Sequence, residues 1–147
     1  MSTDEKNNLK LICKSQEDLK VISAYSQDSI VTVKDITFLK KNRICIMIIN
    51  RFMWEDIEKG ITRQSKRIRC ALKFEGILKV KSKKINQKNK CLECLAIKYN
   101  EILSKNNEIN FLFAGGGVIT LISESIEAVM HDLGEPWNVR HAPKHKI

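Results

Sequence analysis

The sequence predicts an α+β domain: a mainly antiparallel, strongly bent sheet or split barrel of seven to eight strands, with one early helix and one C-terminal helix. Three observations lead there. Most apolar segments are short, rich in β-branched residues or alternating, and bounded by turn residues, as strands are. Between Ile44 and Ile49 both parities are apolar, so this run reads as a central strand buried on two faces. Only two stretches, Gln16–Asp28 and Ser125–Leu133, carry a helical spacing of apolar residues. A pleckstrin-homology-like barrel ends in the same way, although its plan lacks the early helix.

Taken in order, Leu9–Cys13 is a short strand. Ser15 opens Ser-Gln-Glu-Asp, a capping box with Ser15 as N-cap and Asp18 in place of the usual Glu. Leu19, Ile22 and Tyr25 then face one way from the first helix. Ile30–Val33 and Ile36–Leu39 form a hairpin around Lys34-Asp35, Lys40–Arg43 is a turn, and the central strand follows. Trp54–Lys66 has no strong period, contains Gly60 and several charges, and reads as a long loop with room for one helical turn. Ile68, Cys70, Leu72 and Phe74 alternate inward, Gly76 marks a bend, and Ile77–Val80 continues the strand. Lys83–Lys90 is a basic loop, Leu92–Tyr99 is a strand with Leu95, Ile97 and Tyr99 on one face, and Ser104–Asn107 is a turn. Ile109–Phe113 and Val118–Ile122 are joined through Gly115–Gly117, which tolerate the positive φ of a hairpin turn. In the last helix, Ile126, Val129, Met130 and Leu133 form the buried stripe, Gly134 fits the C-terminal cap and Pro136 stops the helix.

The 147 residues suit a single domain, 1–147, with 1–8 and 138–147 as flexible tails. The opening residues carry no signal-peptide core and no run reaches the length of a membrane span, which predicts a cytoplasmic protein. The five cysteines are odd in number and mostly sit in apolar patterns, so they are expected to be reduced and buried. The net charge of +9 permits nucleic-acid binding. Lys dominates over Arg, however, and Arg is the residue of planar phosphate recognition, so the charge also fits compositional bias.

Several stretches resemble one family, the bacterial domain-of-unknown-function family numbered 2948, associated with alphaproteobacteria. They are Glu17-Asp18-Leu19 with Val21–Ala24 and Gln27-Asp28, then Asn50-Arg51-Phe52 with Trp54-Glu55. Further on come Phe113–Gly117, Ile126-Glu127-Ala128, Asp132-Leu133-Gly134 and Trp137. The resemblance runs along nearly the whole chain. It implies no established activity, and it carries over no catalytic residue.

No catalytic constellation is written in the residues. The glycine run leads into a strand rather than a helix and lacks Gly-Lys-Ser/Thr, so a turn explains it better than a phosphate loop. Cys91 and Cys94 with His141 and His145 imitate a zinc pattern, but the spacer is far too long and Pro143 separates the histidines. No metal ligands and no cofactor are assigned. His131 reads as an exposed helix-end imidazole. Two binding groups stand out. The rim after the central strand offers Asn50, Arg51, Phe52 and Trp54, to be joined by Trp137 and Arg140, because Trp and Arg dominate protein interfaces. Against this, Phe52 and Trp54 would simply finish the core. A basic strip of Arg63, Lys66, Arg67, Arg69, Lys79, Lys81 and Lys83 could follow a phosphate backbone, or merely guard a sheet edge. The expectation is a non-catalytic protein-binding or regulatory module with a protein partner. A nucleic-acid-associated protein using the strip is the runner-up, and an enzyme with a dispersed site the third reading.

Overall fold

A computed structural model describes residues 8–55, 65–85, 91–102 and 106–139. The predicted tails apart from residues 8, 138 and 139, most of the loop after Trp54, residues 86–90, Ser104, Arg63, Arg140, His141 and His145 lie outside the described residues.

The chain runs β1 (Lys10–Cys13), α1 (Gln16–Ser26), β2 (Ile30–Leu39), β3 (Ile44–Phe52), β4 (Lys66–Glu75), β5 (Ile77–Lys83), β6 (Cys91–Glu101), β7 (Asn107–Phe113), β8 (Val118–Ser123) and β9 (Ala128–Asn138). All pairings are antiparallel and the strand order is β1-β9-β4-β3-β2-β6-β7-β8-β5. Only Gly76, at φ +72°, separates β4 from β5, although they stand third and last in that order. The sheet therefore curls until its far edge returns to β4. One continuous core fills the concave side, from Cys13 and Leu19 through Met47 and Leu72 to Phe74, Phe111 and Leu121.

The first helix begins as its residues dictate. The Asp18 amide donates to Ser15 Oγ at 3.1 Å, and the Lys14 amide donates to Asp18 Oδ2 at 2.9 Å. Leu19 and Ile22 are buried against the sheet. Ser23 Oγ accepts the Ile97 amide, satisfying a backbone donor of β6 beneath the helix.

Several expectations are overturned. The α+β class holds, but the described residues form nine strands rather than seven to eight, and the C-terminal helix does not exist. Its residues form β9, with Ala128, Met130 and Asp132 buried and His131 and Leu133 exposed. The segment satisfies both periods. Counting Asp132 as polar hides the period of two, because a carboxylate is inward only when a cation awaits it. The pleckstrin-homology-like plan, which rested on that helix, falls with it. Gly134 is no helix cap; it sits at φ +71° within β9, where the pairing with β4 shifts between Arg67 and Arg69.

The hairpin at Lys34-Asp35 is absent as well. β2 is one strand whose register against β3 slips between Val31 and Ile36, near where Ile30–Thr32 also pair with β6. Neither Lys34 nor Asp35 has the positive φ that a two-residue hairpin needs. In β6 a register shift between Cys94 and Ala96 turns Leu95 outward, 43% exposed, against the expected inward row. The central strand is buried on one face only. Cys45, Met47 and Ile49 are interior, whereas Ile44, Ile46 and Ile48 lie half-buried on the convex side.

Candidate functional site

The end of β3 carries the densest polar cluster among the described residues. Along the strand, Arg51 follows Cys45, Met47 and Ile49 on the inward parity, so its side chain is driven into the interior and is fully buried. Such a cation needs anions. Asp132, also fully buried, projects inward from β9; β4 lies between the two strands. Arg51 donates from Nε to Asp132 Oδ1 at 2.8 Å and from Nη2 to Asp132 Oδ2 at 2.7 Å. It also donates from Nη1 and Nη2 to the two oxygens of Glu55, at 2.9 and 2.7 Å. The guanidinium is thus held fork-to-fork by two carboxylates, the geometry for which Arg is suited. The Tyr25 ring of α1 lies 5.5 Å from the guanidinium carbon. Burial pulls the Arg51 pKa down, but the hydrogen bonds and charges of Asp132 and Glu55 outweigh it and leave the group more firmly protonated than usual.

Asp132 is also a latch for the chain's beginning. The Leu9 amide donates to Asp132 Oδ2, and the Asp132 amide donates to the Leu9 carbonyl, both at 2.9 Å. The triad therefore ties β3, β9, the residue before β1 and the helical residue Glu55 just past β3 into one unit. Both Glu55 oxygens are engaged by Arg51, so the cluster clamps rather than offering a free acid or base.

Of the rim residues expected from the sequence, Arg51 and Phe52 are wholly buried. Trp54 is half-buried; its ring meets Phe52 edge-on at 4.5 Å and its Nε1–H donates to the Gln27 carbonyl at 3.0 Å. A cleft of about 210 Å³ lies beside it, lined by Ala24, Tyr25, Trp54 and Glu55. Trp137 is 41% exposed. Register nonetheless joins the group: Phe52 pairs with Arg67, and Arg67 with Trp137, so the three share one cross-strand row on the convex face. Arg67 packs over the Phe52 ring at 5.6 Å and donates to the carbonyls of Asp28 and Asn50. Burial lowers its pKa, opposed by the charges of Asp28 and Glu93. Asn50 lies in the next row with Arg69 and Leu133.

The basic strip does not form one line. Lys79, Lys81 and Lys83 point out from β5, the last strand in the order. Arg69 is exposed on β4, and Lys66 and Arg67 are partly buried at its start. Gly76 bends the chain between the two sets. Two aromatic side chains that could have stacked on bases are engaged elsewhere: Phe111 is buried, and the Tyr99 hydroxyl donates to Asn107 Oδ1 at 2.6 Å. A second cleft, about 220 Å³, lies between α1 and β6 and includes Gln16, Lys20, Lys98 and Tyr99. All five cysteines are free thiols; Cys91 is exposed and the other four are buried. His131 is exposed on β9. Among the described residues, no helix is long and apolar enough to cross a membrane.

Sequence reasoning missed the partners of Arg51. Glu55 stands four residues downstream, and Asp132 shares the inward parity of Ala128 and Met130. Two opposite charges, each on the buried parity of its strand, were the available signal. No curated protein and no solved structure matches the chain. A family model described as "Protein of unknown function (DUF2948)" matches residues 9–145. That match spans nearly the entire chain, its two ends being the residue latched to Asp132 and the segment beyond β9, and the protein therefore belongs to the DUF2948 family.

Proposed function

We propose that this protein is a non-catalytic binding module acting in the bacterial cytoplasm, and that it engages a protein partner through the convex face of β3, β4 and β9. The observation that carries this reading is the outward set of large apolar side chains there. Trp137 is 41% exposed, Leu133 36%, and Ile12 on neighbouring β1 62%. Apolar groups gathered on one face commonly mark a protein contact. The Arg51 triad supports that role by fixing β3 against β9 from behind. Cytoplasmic residence fits five unpaired thiols. The nucleic-acid reading loses ground because the cations are split between two surfaces and have one exposed aromatic beside them among the described residues, Trp137, rather than a row of them. The enzyme reading loses ground because the buried charge cluster among the described residues is internally paired.

The test is affinity capture from native lysate with and without nuclease, comparing the wild type with a Trp137→Ala, Leu133→Ser variant. A specific protein, retained by the wild type and lost by the variant, is the expected result. Capture that vanishes with nuclease, or that the variant retains in full, would overturn the assignment.

A further inference from the structure

We infer that the convex β3–β4–β9 face receives an acidic segment whose carboxylates are interspersed with apolar side chains. This deepens the binding-module reading and rests on it. In an antiparallel sheet, directly paired residues project to the same side, so register converts strand order into columns. On β4 the outward column is Arg67, Arg69, Ala71 and Lys73. On one side it is flanked by Ile46 and Ile48 of β3, which pair with Lys73 and Ala71. On the other side it is flanked by Val129, His131, Leu133 and Trp137 of β9, which pair with Lys73, Ala71, Arg69 and Arg67. A basic column thus runs between two mainly apolar ones, interrupted by Asn50 on β3 and His131 on β9, that are roughly 10 Å apart, two strand spacings.

The charge on this face leans positive: Arg67, Arg69 and Lys73 of β4 stand against Glu75 and against Glu135, exposed on β9 between Leu133 and Trp137. Glu75 is the acid at the end of the column and lies 3.6 Å from Lys73, both exposed, a pairing of little strength. Arg69 makes no ion pair among the described residues. A partner that covered the apolar columns without acids would strip water from the β4 cations and return nothing for it. A nucleic acid would satisfy the cations but find a single exposed ring, Trp137, at one end of a face otherwise made of aliphatic Ile46, Ile48, Val129 and Leu133, which stack on nothing. A second copy docked face to face by a two-fold axis would set the basic column against itself. An acidic, apolar polypeptide meets both requirements.

The experiment places the photo-crosslinking residue p-benzoylphenylalanine at Leu133, with Lys98 on β6 as a remote control, in cells that make the protein. The expected adduct at position 133 is one protein, joined through a segment rich in Asp or Glu among apolar residues. Adding Arg69→Glu with Lys73→Glu should cut the adduct at least about fivefold, since the reversal turns attraction into repulsion. Arg69→Lys should preserve it. The melting temperature of the reversed variant checks folding; exposed charges should move it by no more than about 2 °C. A protein adduct through a basic or uncharged segment, or one indifferent to charge reversal, overturns the acidic-partner inference and leaves the binding-module reading standing. A nucleic-acid adduct, a second copy of this chain, or a yield no higher than at Lys98 overturns both.

Discussion

Replacing Asp132 by Asn keeps the shape of the side chain and removes its charge. The wild-type carboxylate accepts two hydrogen bonds from Arg51, at 2.8 and 2.7 Å, and one from the Leu9 amide. Each charge-assisted bond is worth about 1.5–3 kcal/mol, so losing both would cost roughly 3–6 kcal/mol. Glu55 still neutralises the guanidinium through two further bonds, which places the expected loss near the lower end, about 3 kcal/mol. For a chain of this size that corresponds to a fall in melting temperature of roughly 6–12 °C. Urea unfolding followed by circular dichroism measures it directly. A double-mutant cycle with Arg51→Met should then return a coupling of about 2 kcal/mol or more, because each single change strands its partner in the interior. The apolar pair Arg51→Met, Asp132→Leu should recover much of the loss. If Asp132→Asn costs less than about 1 kcal/mol, or the coupling is below about 0.5 kcal/mol, the triad is not the clamp described above.

Other outcomes follow from single features of the fold. Burial pushes the thiols of Cys70 and Cys94 up to about 12 and that of Cys45 up to about 11, from an ordinary 9.0. Unfolded chains release these protons first, so stability should be full below pH 9 and decline as the pH rises toward 11–12; Cys94→Ala should flatten that decline in pH-dependent unfolding. In the native protein near pH 8, a maleimide should label Cys91 and leave the four buried thiols untouched until denaturant is added. Gly76→Ala should cost about 1–2 kcal/mol through its positive φ alone, since the added Cβ would meet only ordinary contacts. Ser15→Ala should cost about 1 kcal/mol by uncapping α1, measured by thermal unfolding, and a cost near zero would mean the cap is idle.

Much of the local structure was legible in the residues alone. The α1 cap at Ser15, the inward row of Ile68, Cys70, Leu72 and Phe74, the bend at Gly76 and the glycine turn after Phe113 each depend on neighbours within a few positions. Backbone sterics and period decide such features, and both are written in order along the chain. Where tertiary context intervened, those rules misled. The slip in β2 and the shift at Leu95 are set by which strands lie on either side, and sequence order does not contain that information.

The candidate surface divides in the same way. The sequence by itself determined that Phe52, Trp54, Trp137 and a set of basic residues were available, but it read both parities of the central strand as buried and set Arg51 at the rim. Only the tertiary structure decided that Ala128–Asn138 is a strand, because Asp132 can face inward solely where Arg51 meets it from a strand 81 residues away in sequence. That ion pair outweighs the helical spacing of the segment. Once β9 lies beside β4, register carries Trp137 into the row of Phe52 and Arg67. Periodicity is a property of a segment, whereas the burial of a charge depends on its partner, and the chain's outward face was settled by the latter.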